Sequence, residues 1–171
     1  MSHERVYEWE VAEVGHESPP ITLEVTAENI ASYCRGVRYE SPVYFSEGSA
    51  KAVGLPGIVA PPTMVYSYAP LRRHEMMRSL DYTPPEEAAS PRSTPFVGSE
   101  IEFQGVFVRP GDAITSVTRL VDKFERKGNR FLTFQVTAHN QRGDLVAQYS
   151  YTCLWWYGKG QKARETRGFS S

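Results

Sequence analysis

The chain has 171 residues and a formal net charge of -1, from 19 basic and 20 acidic residues. This length is that of a single domain that can bury a core of its own. The charge balance lacks the basic excess expected of a protein that binds nucleic acid or an anionic membrane. The two cysteines, Cys34 and Cys153, are far apart and have no metal-ligand spacing, so neither a disulfide framework nor a metal site is expected.

The apolar runs and the first residues of the chain bear on its location in the cell. None approaches the roughly 20 residues that a membrane-spanning helix needs. Residues 1–5 do not have the pattern of a secretory signal peptide. We therefore expect a cytoplasmic protein.

The first predicted elements are a strand and a helix. Residues 6–14 could form an edge strand or an arm, and residues 21–25 alternate apolar and polar side chains as a half-buried strand does. Thr26 is a candidate N-cap for a helix that should end near Gly36.

A second group of predicted elements is helical. Residues 46–53 should form a short helix, and residues 63–80 carry the longest helical pattern, in which Pro70 should kink or shift the first turn. Residues 82–95 are rich in proline and should form a loop that is long enough to cover something.

The remainder of the chain has the pattern of strands separated by turns that mostly contain glycine. The predicted strands are residues 99–107, 113–122, 131–140 and 145–157. Helices followed by antiparallel strands are typical of an α+β domain, which we place at residues 1–157. Residues 158–171 are polar and are predicted to be a disordered tail.

Residues 36–47 read Gly-Val-Arg-Tyr-Glu-Ser-Pro-Val-Tyr-Phe-Ser-Glu. This segment resembles the active-site loop of the MaoC-like (R)-specific enoyl thioester hydratases and dehydratases, which reads roughly Gly-Asp-x-Asn-Pro-x-His-x-Asp. When the two are aligned on Pro42, Tyr39 stands in the place of the family's catalytic Asp and Tyr44 in the place of its catalytic His.

The resemblance extends over residues 20–157. Residues 57–64 lie where the family has Ile-Ala-His-Gly or Ala-Pro-Pro-Thr. Tyr44-Phe45 together with residues 60–63, Ala-Pro-Pro-Thr, is most similar to the non-catalytic subunits of the two-subunit, mycobacterial-type (3R)-hydroxyacyl thioester dehydratases. The resemblance implies a single hotdog fold, in which a curved antiparallel sheet wraps around a long central helix, and active sites built between two such chains.

The substitutions remove the family's chemistry. Hydration of an enoyl thioester needs a base for the water, an acid for the alpha carbon and donors for the developing oxyanion. Tyrosine, with an ordinary pKa of about 10, is a poor base near neutral pH, which disfavours both Tyr39 and Tyr44. Pro62 replaces the Gly of the family's His-Gly step and has no N–H to donate. The sequence therefore predicts a chain that has no catalytic residues of its own.

Other side chains are candidates for binding. Five could border an acyl channel: Tyr44, Phe45, Pro62, Thr63 and Tyr66. Three could contact the phosphates of coenzyme A or of a phosphopantetheine arm, because arginine suits phosphate: Arg72, Arg73 and Arg109. Ordinary surface charge is the simpler interpretation of any one of these arginines, and a solvated helical face is the simpler interpretation of His74.

Three functions remain open at this point. The first is a structural, substrate-accommodating subunit of a heteromeric hydratase or dehydratase, as a heterodimer or a dimer of heterodimers with a catalytic hotdog chain. The second is a homodimeric hydratase that uses Tyr39, Glu40 or Glu47, and the third is a non-enzymatic hotdog that binds acyl thioesters. We expect no cofactor, and the aromatic final strand is the predicted subunit contact. The acyl group and its carrier, coenzyme A or a carrier protein, are left open.

Overall fold

A computed structural model describes residues 4–158 of the chain. The predicted tail beyond residue 158 lies outside the described residues. Within them the chain forms one antiparallel sheet of six strands. The strands are β1 (Ile21–Glu24), β2 (Phe96–Gly98), β3 (Ile101–Phe103), β4 (Ala113–Arg126), β5 (Asn129–His139) and β6 (Leu145–Trp156).

The strand order places β1 and the β2/β3 pair at opposite edges of the sheet. The order is β1-β4-β5-β6, and both β2 and β3 pair with the free side of β6. The single strand predicted over residues 99–107 is therefore wrong in its bounds. Between β2 and β3 the Glu100 N–H bonds to the Ser150 side chain instead of the backbone ladder, and after β3 Gly105 adopts a φ of 72°, which is incompatible with an extended strand.

Four helices are α1 (Ala27–Gly36), α2 (Glu47–Ala52), α3 (Val65–Tyr68) and α4 (Arg73–Ser79). Thr26 caps α1 as predicted: its hydroxyl accepts from the Asn29 N–H at 3.0 Å, while the Asn29 side chain accepts from the Thr26 N–H at 3.1 Å. The predictions of α1 and α2 are confirmed. No helix in residues 4–158 is long and apolar enough to cross a membrane.

The long central helix predicted over residues 63–80 is wrong as a continuous helix. A 3-10 turn at Pro62–Met64 leads into α3, and the backbone then leaves the helical region at Ala69, with φ -135° and ψ 69°. The following Pro70 explains the break, because a proline disfavours the α conformation in the residue before it and cannot donate an N–H. The sheet stabilises the interruption: the Tyr149 hydroxyl donates to the Ala69 carbonyl at 2.7 Å, and the Arg72 N–H donates to Thr118 Oγ1 at 2.9 Å.

Two apolar clusters fill the concave side of the sheet. The first lies under α1 and α3 and includes Ile30, Val65 and Val136. The second lies under α4 and includes Met76, Phe134 and others together with residues of the N-terminal segment. Burial alternates along β5, as expected for a strand with one face on a core.

The N-terminal segment is an arm, one of the two alternatives that the sequence left open. It makes a single bridge, from Val6 to Thr83, and a 3-10 turn at Trp9–Val11. Tyr7 on this arm is fully buried in the second cluster. The arm therefore closes one end of the core.

The proline-rich loop of residues 82–95 is held against the arm and the sheet. The Tyr7 N–H donates to the Thr83 carbonyl at 2.9 Å, and the Leu154 N–H donates to the Pro95 carbonyl at 2.9 Å. Arg92 donates to the Trp155 carbonyl at 2.6 Å and pairs with Glu8. The loop covers the second core cluster.

Candidate active site

The loop that resembles the family's active-site segment presents two stacked tyrosines. The ring centroids of Tyr39 and Tyr44 are 6.0 Å apart with an interplanar angle of 23°. Tyr44 packs partly buried against the first core cluster. Burial raises the pKa of Tyr44 above its ordinary value of 10, and Cys34 and Tyr39 act in the same direction. A phenol that keeps its proton at neutral pH cannot activate water as a base.

The two thiols do not supply a nucleophile near this loop. Cys34 and Cys153 are both buried and unpaired. Burial raises the pKa of Cys34, and it raises that of Cys153 to about 11. Thiols that stay protonated are unreactive, since the thiolate is the nucleophile.

Prolines stand where the resemblance would place the family's oxyanion donor. The Ala60 N–H is already bonded to the Val108 carbonyl at 2.8 Å, and neither Pro61 nor Pro62 has an N–H. Pro62 and Thr63 are both exposed at the start of the helical segment. Ala60, Pro61 and Pro62 therefore offer no free backbone donor for a thioester oxygen.

The two carboxylates beside the loop differ in their surroundings. Glu40 is exposed. Glu47 begins α2, with Oε2 3.9 Å from Lys51 Nζ, and it lies over Gly57. A Cβ added to Gly57, which has a φ of 145°, would collide with Glu47 Oε2 and would lie 2.7 Å from Arg109 Nη2. Glu47 and Arg109, a predicted phosphate ligand, therefore both lie against Gly57.

The imidazoles lie elsewhere in the described residues. His74 is not on a solvated helical face: its side chain is 29% exposed, and both ring nitrogens face carboxylates, with Nε2 3.2 Å from Glu86 and Nδ1 3.2 Å from Glu87. These two carboxylates hold His74 between α4 and the proline-rich loop. His16 Nδ1 lies 2.7 Å from the Tyr7 hydroxyl. No group of potential metal ligands occurs in residues 4–158.

Arg73, the second predicted phosphate ligand, is engaged internally. Its guanidinium donates to Thr94 Oγ1 at 2.6 Å and to Glu86 Oε1 at 3.0 Å, and its side chain is only 13% exposed. Burial acts to raise the pKa of Glu86, but the Thr94 hydrogen bond and Arg73 outweigh it and hold that pKa below its ordinary value. Arg73 thus anchors the proline-rich loop to α4. Arg72 is half-buried and uses its backbone N–H to bond the sheet.

An apolar cavity of about 390 Å³ lies between α3 and the β2 edge of the sheet. Its lining residues are Tyr66, Leu71, Phe96, Ser99, Tyr149 and Tyr151. Tyr66 meets Tyr149 edge-to-face, with centroids 5.0 Å apart. Both Tyr66 and Phe96 are about half exposed, so the cavity is open beside β2. Its size and apolar lining are those of a small-molecule site.

The structure brings only one of the five predicted channel residues to this cavity. Tyr66 lines it, whereas Tyr44, Phe45, Pro62 and Thr63 do not. Sequence reasoning missed the other lining residues. The alternation of Tyr149 and Tyr151 can be seen in the sequence of the final strand. That these two side chains line a cavity depends on β2, which pairs with this strand.

Comparison with known proteins gives the family. Residues 12–149 match the family described as the FAS1-like, dehydratase domain region. A UPF0336 protein of Saccharopolyspora erythraea is 27% identical over 148 residues, which cover 82% of this chain and 87% of that protein.

Three solved structures are similar in fold. A monoamine oxidase regulatory protein from Archaeoglobus has a TM-score of 0.71 at 20% identity, covering 91% of this chain and 97% of that one. A chain of the HadBC (3R-hydroxyacyl-ACP dehydratase) complex of Mycobacterium tuberculosis has a TM-score of 0.64 at 21% identity, covering 84% of this chain and 98% of that one. A MaoC-like dehydratase from Rhodospirillum rubrum gives 0.63 at 20% identity, covering 85% and 94%. The sheet and its helices are thus those of a MaoC-like hotdog, and the chain belongs to the FAS1-like dehydratase domain family.

Proposed function

We propose that this chain is the structural, substrate-accommodating subunit of a heteromeric (R)-specific enoyl thioester hydratase or 3-hydroxyacyl thioester dehydratase. Its catalytic Asp and His would come from a partner hotdog chain. One observation carries the proposal: Tyr39 and Tyr44 stack on each other in the loop that resembles the segment where the family has its base and acid. Family membership supplies the reaction class, and this loop supplies the role.

The apolar cavity supports a role in holding substrate. It opens beside β2, between the exposed rings of Tyr66 and Phe96. A partner chain that covered this edge would close the cavity into a tunnel for an acyl group. The acyl group would be carried as a thioester of coenzyme A or phosphopantetheine, and acid-base hydration needs no further cofactor. Arg72 and Arg109 are the remaining candidates for its phosphates, since Arg73 is bound to Glu86.

Copurification followed by reconstitution tests the proposal. The tagged chain is isolated from its native cell, the copurifying protein is identified, and hydration of enoyl thioesters of several lengths is followed for each protein alone and for both together. We expect no turnover from this chain alone. The complex should turn over at an ordinary rate, with kcat of roughly 1 to 10³ per second.

Two results would contradict it. Robust turnover by the pure chain would favour a homodimeric hydratase that uses Tyr39, Glu40 or Glu47. Tight thioester binding by the pure chain, with no partner recovered and no turnover, would favour a non-enzymatic acyl thioester binding protein.

Side-chain variants in the reconstituted complex locate the acyl group. Tyr66→Ala removes a ring from the cavity wall, so kcat/KM should rise for bulky acyl groups relative to short ones. Thr63→Phe should selectively reduce kcat/KM for long chains if the tunnel also passes the start of the helical segment. Val14→Ala, at a 61% exposed position on the N-terminal arm, is the control. An unchanged chain-length preference in Tyr66→Ala would place the acyl group outside this cavity.

A further inference from the structure

One edge of the sheet presents uncovered apolar side chains. β3 pairs with β6 on one side only, with Ile101 opposite Tyr149 and Phe103 opposite Ala147. Tyr149 and Ala147 are buried on the concave face, and directly opposed residues point to the same face. Ile101 and Phe103 therefore also point to the concave face, yet they are 37% and 47% exposed.

The other face of the same strand is acidic. Glu102 on β3 and Glu100 directly before it alternate with these apolar residues and are exposed. They border a shallow depression together with Gln135, Gln148 and Ser150. Neither carboxylate forms an ion pair with any residue in the range 4–158. The edge is thus apolar on its concave face and negatively charged on its convex face.

This arrangement disfavours pairing with a second copy of the chain in the registers centred on Ile101 and on Glu102. If β3 pairs with β3 of a second copy, the two sheets join into one, and their concave faces must lie on the same side. Only registers in which directly opposed residues point to the same face allow this. Placing Ile101 opposite its own copy sets each Glu100 opposite the other copy's Glu102. Sliding the pairing by one residue on each strand sets Glu102 opposite Glu102. Directly opposed like charges destabilise an antiparallel pair.

We infer that the β3 edge selects a non-identical chain, whose edge strand carries apolar side chains on the concave face and Lys or Arg on the convex face. Opposed carboxylates and cations stabilise the cross-strand pair that two copies would destabilise. Under the proposed function, on which this step rests, that chain is the catalytic hotdog. Its position beside β2 would also cover the cavity lined by Tyr66 and Phe96.

The charge rule is testable with this chain alone. The double variant Glu100→Lys, Glu102→Lys is labelled and mixed with wild type, and dissociation constants are measured by sedimentation in low salt and in about 1 M NaCl. At low salt the mixed pair should associate about tenfold or more tightly than wild type with itself, because two repulsive pairs become attractive. The difference should shrink in high salt, where exposed charges are screened.

Two further variants complete the experiment. Glu100→Gln, Glu102→Gln removes the repulsion and should strengthen self-association relative to wild type. Glu13→Lys, Glu125→Lys makes the same charge change on the N-terminal arm and on β4, away from the edge, and should give no selective pairing with wild type.

The inference is overturned if the Glu100→Lys, Glu102→Lys chain associates with wild type no more tightly than wild type does with itself, or if the control variant pairs equally well. Such a failure leaves the proposed function standing, because that function is judged by hydration in the presence of the copurified partner. Conversely, selective pairing of the charge-reversed chain would stand even if no catalytic partner were found.

Discussion

Replacing Tyr149 with Phe tests how the interrupted central helix is held. Tyr149 is 2% exposed, and its hydroxyl donates to the Ala69 carbonyl at 2.7 Å. Ala69 lies where α3 ends, so its carbonyl lacks the partner that a continuous helix would supply. The Phe variant keeps the ring and its packing but leaves this acceptor without its donor.

The expected cost follows from burial. Leaving a buried acceptor unsatisfied costs about 1–3 kcal/mol. For a domain of this size 1 kcal/mol lowers Tm by about 2–4 °C, so Tyr149→Phe should lower Tm by about 2–12 °C. The free energy of unfolding is measured by urea titration and Tm by calorimetry.

Tyr66→Phe is the matched control, because it makes the same chemical change on the ring that contacts Tyr149. Tyr66 is 48% exposed, and its hydroxyl has no hydrogen-bond partner in residues 4–158. Its removal should change stability by less than about 0.5 kcal/mol. Equal effects of the two substitutions would refute the argument that the Tyr149 hydroxyl stabilises the helix break.

Two further predictions concern charge. Burial raises the pKa of Tyr7, Tyr68 and Tyr149 above the ordinary value of 10, and it raises that of Tyr68 to about 12. Tyrosines of the unfolded chain ionise near pH 10, whereas these three stay protonated in the fold. The free energy of unfolding should therefore be highest below about pH 10 and fall as the pH rises towards 12. Urea midpoints measured across this range test the prediction, and midpoints that do not change would contradict it. Arg73→Met should cost about 1–3 kcal/mol at pH 7, because it removes the arginine cation that pairs with the partly buried Glu86 carboxylate. Since the pKa of Glu86 is lowered, the stability that this pair adds should be lost as the pH falls below about 4.5. If Arg73→Met lowers the free energy of unfolding equally at pH 7 and at about pH 3, the ion pair does not stabilise the fold.

Local signals were sufficient for much of the fold. The Thr26 cap, the short α2 helix and the three long strands follow from residues within a few positions of one another, and each prediction is confirmed in position. Capping, helical spacing and alternation act through neighbours along the chain, so the sequence by itself determined these elements.

The outcome at the central helix depended on distant residues. Pro70 was visible, and a kink was predicted, but the helix is interrupted. An interruption exposes backbone groups that need partners, and these come from Tyr149 and Thr118 on the sheet. The sequence showed the proline, whereas the tertiary structure determined what the chain does there.

The candidate site divides in the same way. The sequence by itself predicts the loss of the family's acid, base and oxyanion donor, because Tyr39, Tyr44 and Pro62 are read directly from the chain. Only the tertiary structure decided where a ligand could lie. The cavity is lined from α3, β2 and β6 together, and no local pattern specifies a space enclosed by segments that are distant in the chain.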